Sequence, residues 1–265
     1  MGNVKKIMVV ALLLILVGVV GSIFTFNFHE RTAVAETKQA NIDNITAIDI
    51  RLDNEKVIMK STEEPNARVE LEGSTASDNK TELAVKENDN TLSIETKKQK
   101  EKLFQLDWGG PMTLTVYLPE KAYESLLVDI DNGSFQADDL TVEAIDVSTD
   151  NGEVAMANIA AGMVNVTSDN GKIKLDHVDG AINSKTDNGA ISLVTEGLDR
   201  NLDFYTDNGS ITIQTAEEPT NAVFDVRVDN GKINIFGDSD WDTVTGNGDN
   251  EITLATDNGD ITVEK

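Results

Sequence analysis

The sequence contains no cysteine. That excludes disulfides, thiolate metal sites, a thiol nucleophile and a lipidated cysteine. Histidine occurs twice, as His29 and His177. Neither has a nearby candidate serine-and-acid constellation, so we expect no enzyme. Basic side chains are scarce: 22 Lys and Arg against 47 Asp and Glu, a net charge of −25. From Phe104 onward there are 31 acidic and 8 basic residues, so −23 of that charge lies there. Such a surface repels nucleic acid and anionic lipid and favours cations or basic partners. Aromatics make up 5%. High charge with few aromatics is the composition of disordered chains, but the strict alternation described next argues for strands.

What is present is a tripeptide. Asp-Asn-Gly begins at Asp131, Asp150, Asp169, Asp187, Asp207, Asp229 and Asp257, with first intervals of 19, 19, 18, 20 and 22 residues. A fixed period near 20 residues marks a repeat architecture. Counted from each Asp, positions −5 and −3 are apolar, as in Leu126 and Val128, Ile145 and Val147, or Ile252 and Leu254. Ser184 at −3 is the polar departure. Positions +4 and +6 are apolar too, as in Val154 and Met156, Ile191 and Leu193, or Ile261 and Val263. Period-two alternation puts each pair on one face of a short strand. Each unit therefore reads as strand, corner, strand, with the corners at Asn132-Gly133, Asn151-Gly152, Asn170-Gly171, Asn188-Gly189, Asn208-Gly209, Asn230-Gly231 and Asn258-Gly259.

Two all-β architectures fit. In a parallel β-solenoid of about 20-residue coils, glycine supplies the positive φ of the corner and the asparagines stack as a ladder. In a stack of antiparallel hairpins, Asn-Gly is the two-residue turn. The apolar pattern is the same in both. The solenoid is the preferred reading, because one Asn-Gly per period with short equal links suits coils about 4.8 Å apart.

The N-terminal part divides differently. Lys5 and Lys6 precede an uncharged run at residues 7–28. A span needs roughly 20 apolar residues, so residues 1–28 read as a transmembrane anchor, its lysines inside and the rest of the chain outside. Ala33-Val34-Ala35 offers a cleavage site, and a secreted protein cut near Ala35 is the alternative. Residues 29–44 are polar and read as a juxtamembrane linker. Residues 45–265 form the extracytoplasmic domain: 45–118 less regular, 119–265 regular. Around Asp53 the same register returns, with Ile48, Ile50, Val57 and Met59 in place and Glu55 replacing glycine. Lys97–Lys102 reads as a solvated loop, with contact to an anionic polymer or headgroup as the alternative. Trp108 lies in a loop expected to pack on a sheet edge or to stack a ligand, and Trp241 reads as a capping residue.

The aspartates Asp131, Asp150, Asp169, Asp187, Asp207 and Asp229 would align in a parallel stack, each adjacent pair repelling by on the order of 1 kcal/mol in water. Backbone N–H groups of their own turns are expected to satisfy them. A row of divalent cations is the alternative; the sequence lacks the remaining ligands of an EF-hand loop. No cofactor is expected.

Tyr117-Leu118-Pro119, the segment from Leu126 to Gly133, and the serial Ser/Thr-Asp-Asn-Gly units together resemble the bacterial putative-adhesin family, which includes LiaG-like membrane-anchored proteins, over residues 40–265. The resemblance implies a right-handed solenoid on the outer face of a Gram-positive membrane and a gene neighbourhood linked to envelope stress. It brings no catalytic residues. The expected function is a non-enzymatic surface module that meets an envelope component or membrane protein. An accessory of an envelope-stress signalling system and a polysaccharide-active enzyme are the alternatives.

Overall fold

A computed structural model describes residue 15 and residues 31–76, 81–98, 110–237 and 244–265. Its strands, in chain order, begin with β1 (Arg31–Ala40), β2 (Ala47–Leu52), β3 (Glu55–Thr62), β4 (Ala67–Ala76), β5 (Thr81–Asn88), β6 (Thr91–Lys98) and β7 (Met112–Pro119). The repeats follow as β8 (Ala122–Asn132), β9 (Phe135–Asn151), β10 (Val154–Asn170), β11 (Ile173–Val178), β12 (Ala181–Asn188), β13 (Ile191–Thr195), β14 (Leu202–Asn208) and β15 (Ile211–Thr215). Then come β16 (Ala222–Asn230), β17 (Ile233–Ile235), β18 (Val244–Thr245), β19 (Asn250–Asn258) and β20 (Ile261–Glu264).

Each Asp-Asn-Gly corner joins two strands that belong to two different parallel sheets. Strands before the corner stack as β6, β2, β8, the second half of β9, the second half of β10, β12, β14, β19 and β16. Strands after it stack as β7, β3, the first halves of β9 and β10, β11, β13, β15, β20 and β17. This excludes the hairpin stack for the repeats, because strands flanking a corner pair with the next coil and not with each other. Antiparallel pairing among the described residues is confined to the ends: β1–β4, β4–β7, β5–β6 and β16–β18.

The register is the one the apolar pattern predicts. Ile48 pairs with Leu126, Leu126 with Ile145, Ile145 with Val164 and Val164 with Ile182. These side chains, with those at −3, +4 and +6, form one continuous buried core. The Asp53 unit is a true coil, set directly against the Asp131 unit.

Residues 29–44 are not a linker throughout. Residues 31–40 form edge strand β1, paired along its length with β4. Its partly buried positions alternate: Val34, Glu36 and Lys38, ending at buried Ala40. The Leu83 N–H of β5 donates to Glu36 Oε2 (3.0 Å), and Lys38 Nζ donates to the Leu83 carbonyl (2.5 Å). Two charged side chains thus link the β1 and β5 edges where no backbone ladder forms, and inward charges on an edge strand also discourage pairing with other chains.

The anchor at residues 7–28 lies outside the described residues except for Ile15, as do Trp108, Trp241 and the end of the lysine cluster from residue 99. No described helix is long and apolar enough to cross a membrane.

Candidate functional site

The repeated Ser/Thr-Asp-Asn-Gly segment is built in layers from the core outward. The residue before the Asp points inward: Thr149, Ser168, Thr186, Thr206 and Thr256 are all buried, as is Ile130, and Val228 is partly buried. Thr186 Oγ1 donates to the Gly171 carbonyl (3.1 Å), Thr206 Oγ1 to Gly189 (2.9 Å) and Thr256 Oγ1 to Gly209 (2.9 Å). These three hydroxyls hold the corner of the coil beside them, whereas Thr149 Oγ1 and Ser168 Oγ are buried without a hydrogen-bond partner among the described residues. The Ser or Thr before five of the seven aspartates is the available signal for this column, which the apolar count at −5, −3, +4 and +6 passes over.

The asparagines form the ladder. Asn151 Nδ2 donates to Asn132 Oδ1 (2.8 Å), Asn170 to Asn151 (3.0 Å), Asn188 to Asn170 (2.9 Å) and Asn208 to Asn188 (3.0 Å). It continues through Asn258 to Asn208 (3.1 Å) and Asn230 to Asn258 (3.2 Å).

The glycines serve close approach rather than positive φ. None of the seven corner glycines lies in the left-handed region. A methyl group on Gly152 would stand 1.4 Å from the Gly133 carbonyl oxygen, and one on Gly189 would stand 1.8 Å from that of Gly171. Gly133 meets the Glu55 carbonyl in the same way, at 2.1 Å. Glu55 begins this column and has no glycine beneath it, so it tolerates a side chain. Its carboxylate is buried, accepting from Thr96 Oγ1 and from the Asn54 N–H (2.9 Å each). Among the described residues five non-glycines are left-handed: Asp139, Asn158 and His177 share another corner of the coils, with φ of 55°, 53° and 50°, and Asp89 and Phe236 lie elsewhere. Asn, Asp and His are the non-glycine types that occupy this region most readily.

The aspartates occupy the outer rim, one coil apart, in the spatial order Asp53, Asp131, Asp150, Asp169, Asp187, Asp207, Asp257, Asp229. Among the described residues Asp131, Asp150, Asp169, Asp187 and Asp229 accept no backbone N–H from their own turns, contrary to expectation. The reason is that the turn N–H groups are used between coils: Gly133 N–H donates to the Asn151 carbonyl (3.0 Å) and Phe135 N–H to that of Glu153 (2.9 Å). The carboxylates face solvent instead. Tyr205 registers their charge, its phenol pushed up to about 12 by a hydrogen bond to Asp207, with Asp257 and Asp187 adding to it. No group of three or more His, Asp or Glu among the described residues is arranged to hold a metal ion.

On the other sheet a shallow depression of about 320 Å³ has a mainly apolar lining, with Ala155, Met156, Ala157 and Val194 beside Gln136, Lys174 and Ser192. Lys174 there pairs with Glu153 at 2.8 Å. His177 lies at one corner, its Nδ1 2.6 Å from Asp176 Oδ1 and its Nε2 3.3 Å from Glu196 Oε1. It takes part in no nucleophilic arrangement.

No curated protein matches the chain. Among solved structures, it is similar to a putative cell adhesion protein from Clostridium sporogenes ATCC 15579, at 14% identity, with 88% of this chain and 99% of that one covered and a TM-score of 0.40. A putative adhesin from Bacteroides fragilis NCTC 9343 is 12% identical over 87% and 97%, with a TM-score of 0.45. A putative lipid binding protein from Parabacteroides distasonis ATCC 8503 is 14% identical over 87% and 97%, with a TM-score of 0.36. A family model described as Toastrack DUF4097 matches residues 45–179 and again 128–264. The two matches overlap, as units in one register allow, and together they take in every coil: the chain belongs to the Toastrack DUF4097 family.

Proposed function

We propose that the chain is a non-enzymatic, LiaG-like surface module, held single-pass in a Gram-positive cell membrane by residues 7–28 and extending a right-handed solenoid outside the cytoplasm. Its acidic rim meets a cationic envelope component or a basic face of a membrane protein. The observation that carries this reading is the rim itself: aspartates one coil apart, of which Asp131, Asp150, Asp169, Asp187 and Asp229 accept no N–H from their own turns among the described residues and are open to solvent, in whole or in part. A column of this kind presents charge at a fixed spacing, which suits extended recognition. Uncleaved anchoring is supported by β1. Ala33, Val34 and Ala35 pair with Ser74, Gly73 and Glu72, so cutting after Ala35 would remove half of an edge strand.

Two measurements test the reading. Protease added to intact cells is expected to digest the solenoid; protection until lysis would overturn the location. Affinity capture from membranes, with the full chain and with a chain lacking residues 1–28, is expected to retrieve the same partner, and added salt is expected to release it. Salt-insensitive capture, or capture only with the anchor present, would remove the acidic rim from the function.

A further inference from the structure

The last coil in the sequence is not the outermost in space. β19 lies between β14 and β16, and β20 between β15 and β17. Three levels share one register: Leu202, Ile252 and Phe224; Asn208, Asn258 and Asn230; Ile211, Ile261 and Ile233. The chain therefore climbs past one level, lays down β16 and β17, and returns to fill the gap. Residues 216–221 make the two-level climb, whereas the equally long 196–201 climbs one. The climb is pinned at Asp199, which accepts from the N–H and hydroxyl of Thr220 (2.8 and 2.6 Å) and the Asn221 N–H (2.9 Å).

What results is a slot with two prepared edges. The incoming coil is received at its start by both neighbours. The Glu251 N–H donates to Asn201 Oδ1 (2.9 Å), and Asn250 Nδ2 donates to the Asn221 carbonyl (2.7 Å). Along its length it completes the asparagine ladder and the glycine column. None of these contacts depends on which chain supplies the coil. The covalent tie is the stretch 237–249, whose full extension, at ~3.3–3.6 Å per residue, reaches about 45 Å once β18 leaves β16 and residues 247 and 249 leave Asn221. It steps by a single level of about 4.8 Å and crosses the side of the coil that the six residues 196–201 cross elsewhere, so it is twice as long as that crossing needs.

We propose that the slot accepts residues 250–264 of a second copy of this chain as readily as its own, so that two chains form a reciprocal, strand-exchanged dimer through this coil. Exchange of an identical element closes with two-fold symmetry and needs no new surface. The other regular coils are wound onto their predecessors in sequence order and have no gap to fill.

The absence of cysteine makes the test clean. Thr212 and Thr262 are paired in register across the slot, and Ser192 and Thr212 across two coils wound in order. A full chain carrying Thr212→Cys and a differently tagged full chain carrying Thr262→Cys are unfolded together, refolded and treated with a short bis-maleimide. Links between the two tags are expected, with the ratio of linked dimer to monomer rising with concentration, and doubling when concentration doubles while monomer is in excess, as mass action requires. A mixture of Ser192→Cys and Thr212→Cys chains is expected to give none. A single chain with both Thr212→Cys and Thr262→Cys establishes reach by linking within itself. If that chain links internally while the mixture gives no inter-tag product at any concentration, the proposal fails. It fails equally if the Ser192 mixture links as well, or if the doubly substituted chain does not link at all.

Discussion

Gly189 shows what the tripeptide demands of a residue. A corner glycine suggests positive φ, yet the corner has ordinary backbone angles, and what excludes a side chain is a carbonyl oxygen of the adjacent coil. Both demands select glycine, so the sequence alone cannot tell them apart. Gly189→Ala drives a methyl into backbone that cannot yield, and is expected to cost at least the ~1–3 kcal/mol of an overpacked core. A methyl on Gly197 meets nothing within 4 Å, so Gly197→Ala is expected to stay within about 0.5 kcal/mol of the parent. Urea midpoints of the two variants check the contrast. His177 makes a second case. Its imidazole is held above its ordinary range, chiefly by the hydrogen bond to Asp176 and further by Glu196, against some desolvation. The stability this gives is full below the unfolded pKa of about 6.5 and is lost as pH rises through the higher native value. His177→Asn keeps a residue suited to left-handed φ but cannot titrate there. Thermal midpoints compared between about pH 6 and pH 9 should show a decline in the parent that the variant lacks. The left-handed corner was hidden in the sequence because Asp139, Asn158 and His177 share a conformation but not a side-chain type.

At the scale of the element, alternation carried most of the information. Strands and the first coil around Asp53 follow from it, because core-facing positions recur every second residue whatever the neighbouring chain is. Strand β1 escaped because its inward positions include Glu36 and Lys38, which a count of apolar residues scores as loop. The asparagine ladder is an element in its own right, and its members are not equivalent. Asn170 both donates to Asn151 and accepts from Asn188, whereas Asn132 is seen only to accept. Asn170→Asp removes a donor in mid-ladder and is expected to cost about 1–3 kcal/mol. Asn132→Asp keeps the acceptor that Asn151 uses and is expected to cost less than half as much. Denaturant titration of the two variants, compared at one ionic strength, checks the order.

For the whole molecule, stability is a sum over coils and the contacts between neighbours. Deleting residues 151–169 joins Asp150 to Asn170 and leaves every remaining coil in register. The shortened chain is expected to keep a strand-type circular dichroism spectrum and a cooperative melt at a lower temperature. Deleting residues 151–160 breaks the register and is expected to abolish the cooperative melt. The order of the coils is what the sequence does not show. Units around Asp207, Asp229 and Asp257 carry the same apolar positions and the same corner, so any of them satisfies any neighbour. Only the backbone path, with its two-level climb at residues 216–221, decides that Asp257 stands between the other two.

The ladder also governs how the protein ages. In an Asn-Gly pair the glycine nitrogen attacks the asparagine carboxamide, ammonia leaves, and the resulting succinimide opens to aspartate or isoaspartate. Here the carboxamides are tied to one another, and the N–H groups of Gly133, Gly152, Gly189, Gly209 and Gly259 donate to carbonyls of the adjoining coil. Nucleophile and electrophile are each held by a partner other than the one they would react with. At Asn247-Gly248 the glycine N–H donates to the Thr245 carbonyl (3.2 Å), but the carboxamide stands outside the ladder. Peptide mapping after prolonged incubation is expected to find deamidation first at Asn247 in the folded protein and at all eight Asn-Gly pairs once it is unfolded. A sequence that would be among the least durable as a free chain is thus kept intact by being wound, and the protein's chemical lifetime becomes a property of its stacking.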